Sequence, residues 1–458
     1  MLTAPLTTRE QAAIGTLIAE QERIFLDGQA RSAELLAQAR QVLAGGGTSS
    51  WQIARPQMIW LSHGQGSKMT DVDGRTYVDM HGGYGVGVAG HGHPAIVEAV
   101  AGRVPRGTHF AQPTPDAIIV ATELARRWGL PLWRFGNSGT EATMDAVHLM
   151  RAITGRDRIL KVEGGYHGHH DSVMVSVANE IDEIGPARRP ASPPAGSGIP
   201  GAITELTTIV GFNDLDAVER AFSEHPREIA GMIVEPIMMN AGIIPPDDGY
   251  LARLKEVVHA HDALLTFDEV KTGVTTAAGG VTELSGVTPD IVTLAKAMGG
   301  GVPCGAIGGT AEVMAYVADG RYEQVGTFNG NPLTMAAARA MLTDVTTPDA
   351  YAHLNSLRDQ LVAGVQETVD RHGLPAYPLG FGAKGSVTFA AEPIRNYRDF
   401  MRIDDQLSHL HWLFQHNNGV FLPPWGKAEQ WTLSVQHSHD DADLFLHNFG
   451  AFAAALRG

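Results

Sequence analysis

Apolar residues recur on one side of a helical turn from about Thr8 to Ala44, with Ile14, Leu17, Ile18 and Phe25 among them. The pattern predicts helix over that stretch, stopped by Gly45-Gly46-Gly47. A β-rich stretch follows, MIWLSHGQGSKMTDVDGRTYVDM, in which Asp73-Gly74 is a hairpin turn signal. From about residue 95 to 345, helical segments alternate with short apolar runs: LWRFG, RILKV, IAGMIVE, ALLTFDE and DIVTLAK. That alternation predicts an α/β fold, a mostly parallel sheet covered by helices. Ligands of such sheets bind beyond the carboxyl ends of the strands. From about residue 346, a long helical pattern leads to short strands around GSVTFAA and WTLSVQ and a final helix near Asp440–Leu456. The expected division is an N-terminal helix and β-rich segment at 1–94, a large α/β domain at 95–345 and a smaller α+β domain at 346–458.

One stretch breaks the rhythm. Residues 184–202, IGPARRPASPPAGSGIPGA, are rich in Pro, Gly, Ala and Ser and are expected to lack regular structure. A plain surface loop satisfies that composition. A long loop in a compact domain also suits a lid over an active site.

Composition narrows the function classes. A chain of 458 residues exceeds a single core, and its 44% hydrophobic content is enough to fill more than one. Lys and Arg number 34 against 50 Asp and Glu, a net charge of −16. That charge repels phosphate backbones and anionic lipid, which argues against nucleic-acid and membrane partners. The single cysteine, Cys304, cannot form an internal disulfide and fits a reducing cytoplasm. Its flanks in GGGVPCGAIGG mark it as packing rather than a nucleophile. The opening MLTAPLTTREQ lacks the regions of a signal peptide, and no apolar run is long enough to span a bilayer. A cytoplasmic location is the expectation.

Three segments of the middle domain carry chemistry. FGNSGTEA lies between a strand and a helix, so Ser138, Gly139 and Thr140 can present N–H groups and hydroxyls to a phosphate. TFDEV ends a strand with Asp268, and Val270 points the same way two residues on. TLAKAMGGG ends another strand with Lys296, beside glycines that leave room for a ligand. A lysine after an apolar strand is ordinarily a solvated strand end, so none of these is specific alone. Together they answer what pyridoxal phosphate asks of a protein. A lysine forms an imine with its aldehyde, a carboxylate faces its pyridine nitrogen, and a helix start binds its phosphate.

Longer segments extend this: DVDGRTYVDM, GHGHP, RFGNSGTEA, TGRDRILKVEGGYHGHHD, IVEP, LLTFDEVKTG, PDIVTLAKAMGGGVPCGAIGG and GTFNGNPLTMAA. Through them, from about Gly45 to the C-terminus, the chain resembles the class III aminotransferases of fold-type I. Within that family it is most similar to the glutamate-1-semialdehyde aminomutases and related aminotransferases. The resemblance implies a large domain with a mostly parallel sheet, and a smaller α+β domain built from the N- and C-terminal parts. It implies that Lys296 is the Schiff-base lysine and carries the proton between the substrate Cα and the cofactor C4′. It implies that Asp268 pairs with the pyridine nitrogen, that Tyr166 stacks on one ring face and Val270 packs on the other, and that Ser138, Gly139 and Thr140 hold the phosphate. His167 would orient the cofactor region and Asn240 would stand near the ring hydroxyl. Thr327 would reach the phosphate of the neighbouring subunit, which implies a homodimer. The implied activity is a ping-pong amino transfer, through pyridoxamine phosphate, from an amine or amino-acid donor to a carbonyl acceptor.

The sequence departs from the aminomutase pattern in one place. Aminomutases carry Gly-Gly-x-x-Ser-Pro-x-Arg near the start, and the arginine binds the substrate carboxylate. Here the stretch reads GGGTSSWQIARP, with a serine (Ser49 or Ser50) but no Ser-Pro pair. The arginine position falls on Gln52 or Ile53, with Arg55 nearby but out of register. A neutral residue removes a charge-assisted, bidentate grip. Tyr84 stands where aminomutases commonly have tryptophan, and Glu429 matches a glutamate near their active site. Ser50, Tyr84 and Glu429 are therefore the candidate substrate residues.

Other readings are weaker. Gly85-x-Gly87-x-x-Gly90 matches a dinucleotide fingerprint formally, but it continues as HGHP and lacks an acidic partner at suitable spacing. His91 and His93, and the cluster His167, His169, His170 and Asp171, could suggest metal, but the cluster lies inside the Tyr-His-Gly segment. GNSGT is no nucleophile elbow, because Thr140 takes the last glycine position. The same lysine and aspartate would also serve a decarboxylase, or a cofactor-binding protein without turnover. An intramolecular aminomutase is the nearest alternative.

Overall fold

Apolar runs rich in Val, Ile and Leu become strands buried on both faces. The computed structural model describes residues 8–424, 426–428 and 430–457. The chain groups into two units. The larger takes Pro94–Tyr351 and Ile394–Arg402. The smaller takes the residues up to His93, Ala352–Pro393 and those from Ile403 on. The return of 394–402 to the larger unit has no counterpart in the sequence reading. That reading also closed the large domain at 345 rather than within the helix Pro348–His372.

Among the described residues the larger unit holds a seven-stranded sheet. Its strands are β1 (Leu132–Gly136), β2 (Arg158–Val162), β3 (Thr207–Val210), β4 (Ile229–Val234), β5 (Leu264–Asp268), β6 (Ile291–Ala295) and β7 (Gly305–Gly309). The spatial order is β1-β7-β6-β5-β4-β2-β3. Strands β2 to β6 pair in parallel, and β7 runs antiparallel to β6 and β1. The five strands expected from apolar runs are present. The pattern missed β3 and β7. Strand β7 is GAIGG, with almost no strand-forming side chains, and its glycines are there for close approach. A Cβ at Gly305 would lie 2.3 Å from the Ser138 carbonyl oxygen, and one at Gly308 would lie 2.5 Å from Trp133 Cζ2.

The helix Gly139–Thr154 lays Ala146, Val147, Leu149 and Met150 on this sheet against Ile159, Ile233, Ile291 and Ile307, all buried. Each of these Val, Leu, Ile and Met side chains contributes roughly 1.5–3 kcal/mol when removed from water. Cys304 is buried, and burial pushes its thiol up to about 12, as a packing role requires. Residues 184–202 are irregular up to a short helical turn, Gly201–Thr204. The segment is tied down at its start, where the Ile184 carbonyl accepts from Ala191 N (2.8 Å) and Arg398 Nη2 (3.2 Å).

In the smaller unit the expected single helix is two, Thr8–Asp27 and Ala30–Ala39. The break at Gly28 has a packing cause: a Cβ there would lie 2.3 Å from Arg75 Nη1. Beyond it, buried Gln29 donates to Asp71 Oδ2 (3.1 Å) and the Tyr77 hydroxyl (2.9 Å). The Asp73 carboxylate accepts from Arg31 N (2.5 Å) and Ser32 N (3.0 Å), satisfying amides at the second helix start. The Asp73-Gly74 turn joins Lys68–Asp71 and Thr76–Asp79 as an antiparallel hairpin, with Gly74 at φ 85°. Helix Asp405–Asn417, which the pattern did not single out, packs on the first helix through Phe25 and Trp412, ring centroids 5.6 Å apart. The final helix runs His439–Arg457.

Candidate active site

The phosphate candidate is built from a strand end and a helix start. After β1, Ser138 is extended (φ −152°, ψ 164°) and caps the helix Gly139–Thr154, its Oγ accepting from Glu141 N at 3.2 Å. The first amides of a helix lack intrahelical acceptors and carry partial positive charge. The loop is crowded everywhere else. A Cβ at Gly139 would lie 2.7 Å from Val270 Cγ1, and one at Gly168 would lie 2.7 Å from Thr140 Cα. Thr140 Oγ1 accepts from His169 N at 3.1 Å. The result is a glycine cradle at a positive helix end, which fits a phosphate.

Asp268 closes β5 and is buried. Its Oδ2 accepts from His167 Nδ1 at 2.7 Å; its Oδ1 accepts from Val270 N at 3.0 Å and Thr293 Oγ1 at 3.3 Å. A buried carboxylate held by that many donors keeps its position. The loop that supplies His167 is fixed in turn. Tyr166 N donates to Glu235 Oε1 (3.0 Å), and Glu235 Oε2 accepts from Met239 N (2.8 Å). Burial and the nearby Asp268 raise the Tyr166 hydroxyl pKa, so this ring stays a neutral phenol.

Lys296 follows β6, directly after Ala295. Its φ of 52° lies in the left-handed region, which is strained for a lysine and costs on the order of 1–3 kcal/mol. Such strain concentrates where a side chain must be presented in one direction. The lysine is half-buried. Burial lowers its pKa, against the pull of Asp268 and Glu235, and so favours the nucleophilic neutral amine. Because β5 and β6 pair with Asp268 opposite Thr293, the carboxylate and the lysine share one sheet edge.

The larger unit thus gathers Ser138, Gly139, Thr140, Tyr166, His167, Asn240, Asp268, Val270 and Lys296 around strand ends and the loops after them. Asp268 and His167 are buried; the other seven are half-buried, forming an accessible rim over a braced floor. Thr327 is exposed; two residues on, Asn329 Oδ1 accepts from Asn137 Nδ2 (3.1 Å), beside the phosphate cradle. Sequence reasoning missed Glu235, which ties the Tyr166 loop to the loop after β4, and Lys271, whose Nζ donates to Met239 O and Asn240 Oδ1. Both stand in quoted motifs, IVEP and LLTFDEVKTG, and only a tertiary partner shows their work.

The candidate substrate residues belong to the smaller unit. A cavity of about 520 Å³ opens there, walled by Trp51, Gln52, Met58, Trp60 and Tyr84 among others. Tyr84 is held at φ 61°; its hydroxyl donates to the Trp51 carbonyl (2.7 Å), and its ring meets Trp51 edge-on at 5.4 Å. Gln52 lines the cavity; Ile53 and Arg55 do not. Gln52 Oε1 accepts from Thr48 N (2.9 Å) and Thr48 Oγ1 (2.7 Å). Ser50 is exposed and is not among the lining residues, and Glu429 lies outside the described residues. His91 Nε2 bonds Asp79 Oδ2 at 2.7 Å, which raises the histidine pKa.

Known proteins give this geometry its context. The family profile "Aminotransferase class-III" matches residues 52–426. The chain is 35% identical to glutamate-1-semialdehyde 2,1-aminomutase 2 of Brevibacillus brevis over 422 residues, 90% of this chain and 96% of that one. An omega-transaminase from Sphaerobacter thermophilus superposes with a TM-score of 0.88 at 34% identity, covering 94% of this chain and 98% of its own. A glutamate-1-semialdehyde aminomutase from Pseudomonas aeruginosa PAO1, solved in complex with PMP, gives 0.89 at 31% identity, covering 97% and 99%. No helix among the described residues is long and apolar enough to cross a membrane. The seven-stranded, mostly parallel sheet is that of the fold-type I enzymes, and the chain belongs to the class-III aminotransferases, which depend on pyridoxal phosphate.

Proposed function

We propose that this enzyme moves an amino group between two separate substrates, an amine or amino-acid donor and a carbonyl acceptor, in alternating half-reactions. Gln52 carries this reading. Of the two positions on which the aminomutase arginine falls, Gln52 and Ile53, it is the one that lines the smaller unit's cavity, and none of the described lining residues is Arg or Lys. An amide already committed to Thr48 offers no charge-assisted, bidentate grip on a substrate carboxylate. Walls that are mostly aromatic and apolar, apart from Asp79, His81 and His91, suit an apolar substrate body instead.

When bound, the cofactor supplies an aldehyde and an electron sink. The protein supplies the rest. Lys296 would offer the amine that links to the cofactor and would move the proton at the substrate Cα. Asp268, braced by His167 and Thr293, would hold the proton of the pyridine nitrogen. The Gly139 and Thr140 amides, with the Ser138 cap, hold the phosphate. Tyr166 and Val270 would pack against the cofactor ring, and Asn240 would stand near its hydroxyl. The reading includes a homodimer in which Thr327 serves the neighbouring subunit. It is supported by the exposure of Val325 (80%) and Phe328 (56%) beside Thr327, apolar surface that a partner would cover.

The test is a panel of donors and acceptors, read on the absorbance of the bound cofactor. A donor should bleach it and a separate carbonyl acceptor should restore it. The 35% identity to an aminomutase favours the second reading, an intramolecular transfer. Efficient conversion of glutamate-1-semialdehyde to 5-aminolevulinate, with no response to other donors, would select that reading and overturn ours.

A further inference from the structure

Residues 394–402 belong to the larger unit, although their neighbours in sequence belong to the smaller. Asn396 caps the short helix Tyr397–Phe400, its Oδ1 accepting from Asp399 N at 3.0 Å. This strap meets the loops that follow β2 and β4. Beyond β2, Arg398 grips the buried Glu163 carboxylate with two bonds, Nε to Oε2 at 2.9 Å and Nη2 to Oε1 at 2.7 Å. The same Nη2 donates to the Ile184 carbonyl (3.2 Å), which also accepts from Ala191 N (2.8 Å). The Tyr397 ring lies over Gly164, where a Cβ would stand 2.0 Å from its Cδ2. Its hydroxyl donates to the Asn179 carbonyl (3.1 Å), and Asn179 Nδ2 donates to the Pro194 carbonyl (3.2 Å). Beyond β4, a Cβ at Gly242 would lie 3.2 Å from Ile394 Cδ1, and Arg395 pairs with Asp247.

A buried carboxylate is costly unless it is paired, and a bidentate arginine fixes its geometry as well as its charge. Glu163 stands three residues before Tyr166, and Ile184 opens the irregular segment 184–202. One guanidinium therefore holds the start of the Tyr166 turn and the start of that segment together. We propose that Arg398 is a positioning residue that couples the two, so that ordering Tyr166 against the cofactor ring also orders the segment 184–202. The inference rests on the reading that Tyr166 packs against the ring of pyridoxal phosphate. The turn has little slack through which a displacement could be lost. Glu163 N is tied to the Val210 carbonyl (2.9 Å) and Tyr166 N to Glu235 Oε1 (3.0 Å), and Gly164, at φ 74°, carries Tyr397 where a side chain would be. The path from Tyr166 through Glu163, Arg398 and Ile184 to Ala191 is a continuous run of chain and hydrogen bonds, the kind of network that transmits coupling.

The experiment is amide hydrogen exchange on the whole chain, with and without pyridoxal phosphate, read at Gly164–His167 and at Ala191. In wild type the cofactor should slow exchange at both places, by about tenfold or more. In R398M the slowing at Gly164–His167 should persist, while that at Ala191 should drop below about twofold. R398K puts a point charge in place of the fork and should keep only part of the coupling. Because R398M leaves a lone buried carboxylate, the double variant E163Q/R398M removes both charges and guards against simple unfolding. It should behave as R398M does. A merely structural arginine would speed exchange at Ala191 equally with and without cofactor. Cofactor-dependent slowing at Ala191 that survives in R398M or in E163Q/R398M therefore overturns the inference. Slowing at Gly164–His167 but not at Ala191 in wild type also overturns it and leaves the Tyr166 reading standing. No slowing at either place in wild type overturns both.

Discussion

The strand-end rim of the larger unit and the cavity of the smaller one are built on opposite principles. At the rim, Asp268, Glu235 and Lys271 are ionisable groups fixed by hydrogen bonds, and Lys296 follows the next strand end. The cavity wall is mostly aromatic and apolar, with Trp51, Met58, Trp60 and Tyr84; its Gln52 is spent on its own loop, and its Asp79 and His91 are paired with each other. Charged groups in a low-dielectric setting lose much when displaced, because an unpaired partner is left behind. Apolar walls change shape at smaller cost when volume is kept. The difference teaches that the braced, ionisable groups gather in one unit, while the cavity of the other offers a surface that tolerates change.

Substitutions can break that contrast. The largest effect belongs to K296A. Turnover should fall by at least about 10⁴-fold, since nucleophile and proton carrier are lost together, while the cofactor is still retained at the phosphate cradle. Steady-state rates and cofactor absorbance after desalting measure both, and turnover near wild type would end the assignment. D268N should lower the single-turnover rate of cofactor conversion by roughly 10²–10³-fold, the scale of losing one preorganised electrostatic partner. An unchanged rate would mean that the braced carboxylate serves structure alone. Q52R should touch the cavity only. A new charge-assisted bond of about 1.5–3 kcal/mol should raise kcat/KM for a carboxylate-bearing acceptor roughly 10–100-fold, with apolar donors unaffected or poorer. No gain would show that the cavity does not select on that group. G305A is the smallest. Its methyl would press on the Ser138 carbonyl, costing about 1–3 kcal/mol by urea unfolding and loosening the cradle. A fully stable variant with normal cofactor affinity would separate β7 from the site.

Much of the site is legible because its residues end strands or start a helix. FGNSGTEA, TFDEV and TLAKAMGGG each place a group where local pattern alone predicts an edge, and Ser138, Asp268 and Lys296 are found at those edges. The fold was legible for the same reason wherever apolar runs were strong. It was not legible at β7, where glycines replace strand formers so that Trp133 and Ser138 can approach. Nor was it legible at Gly28, where a helix breaks to admit the Arg75 side chain. Ser50, taken as a substrate residue, is exposed and outside the cavity wall, because the turn Ser50–Gln52 puts Trp51 and Gln52 there instead.

The sequence by itself determined the order and type of the chemical groups, since strand ends and helix starts follow from local pattern. Tertiary structure decided which groups work together. Asp268 and Glu269 are adjacent carboxylates, and no local rule separates them. Asp268 takes His167 and Thr293, whereas Glu269 turns to Trp128, Val281 and Thr282 and spends itself on structure. Gln52 rather than Ile53 faces the cavity, and Lys271 rather than solvent holds Asn240. Adjacent residues at a strand end or in a turn face different surroundings, and for Asp268, Glu269 and Lys271 the partners lie far along the chain, so only the packed fold assigns them.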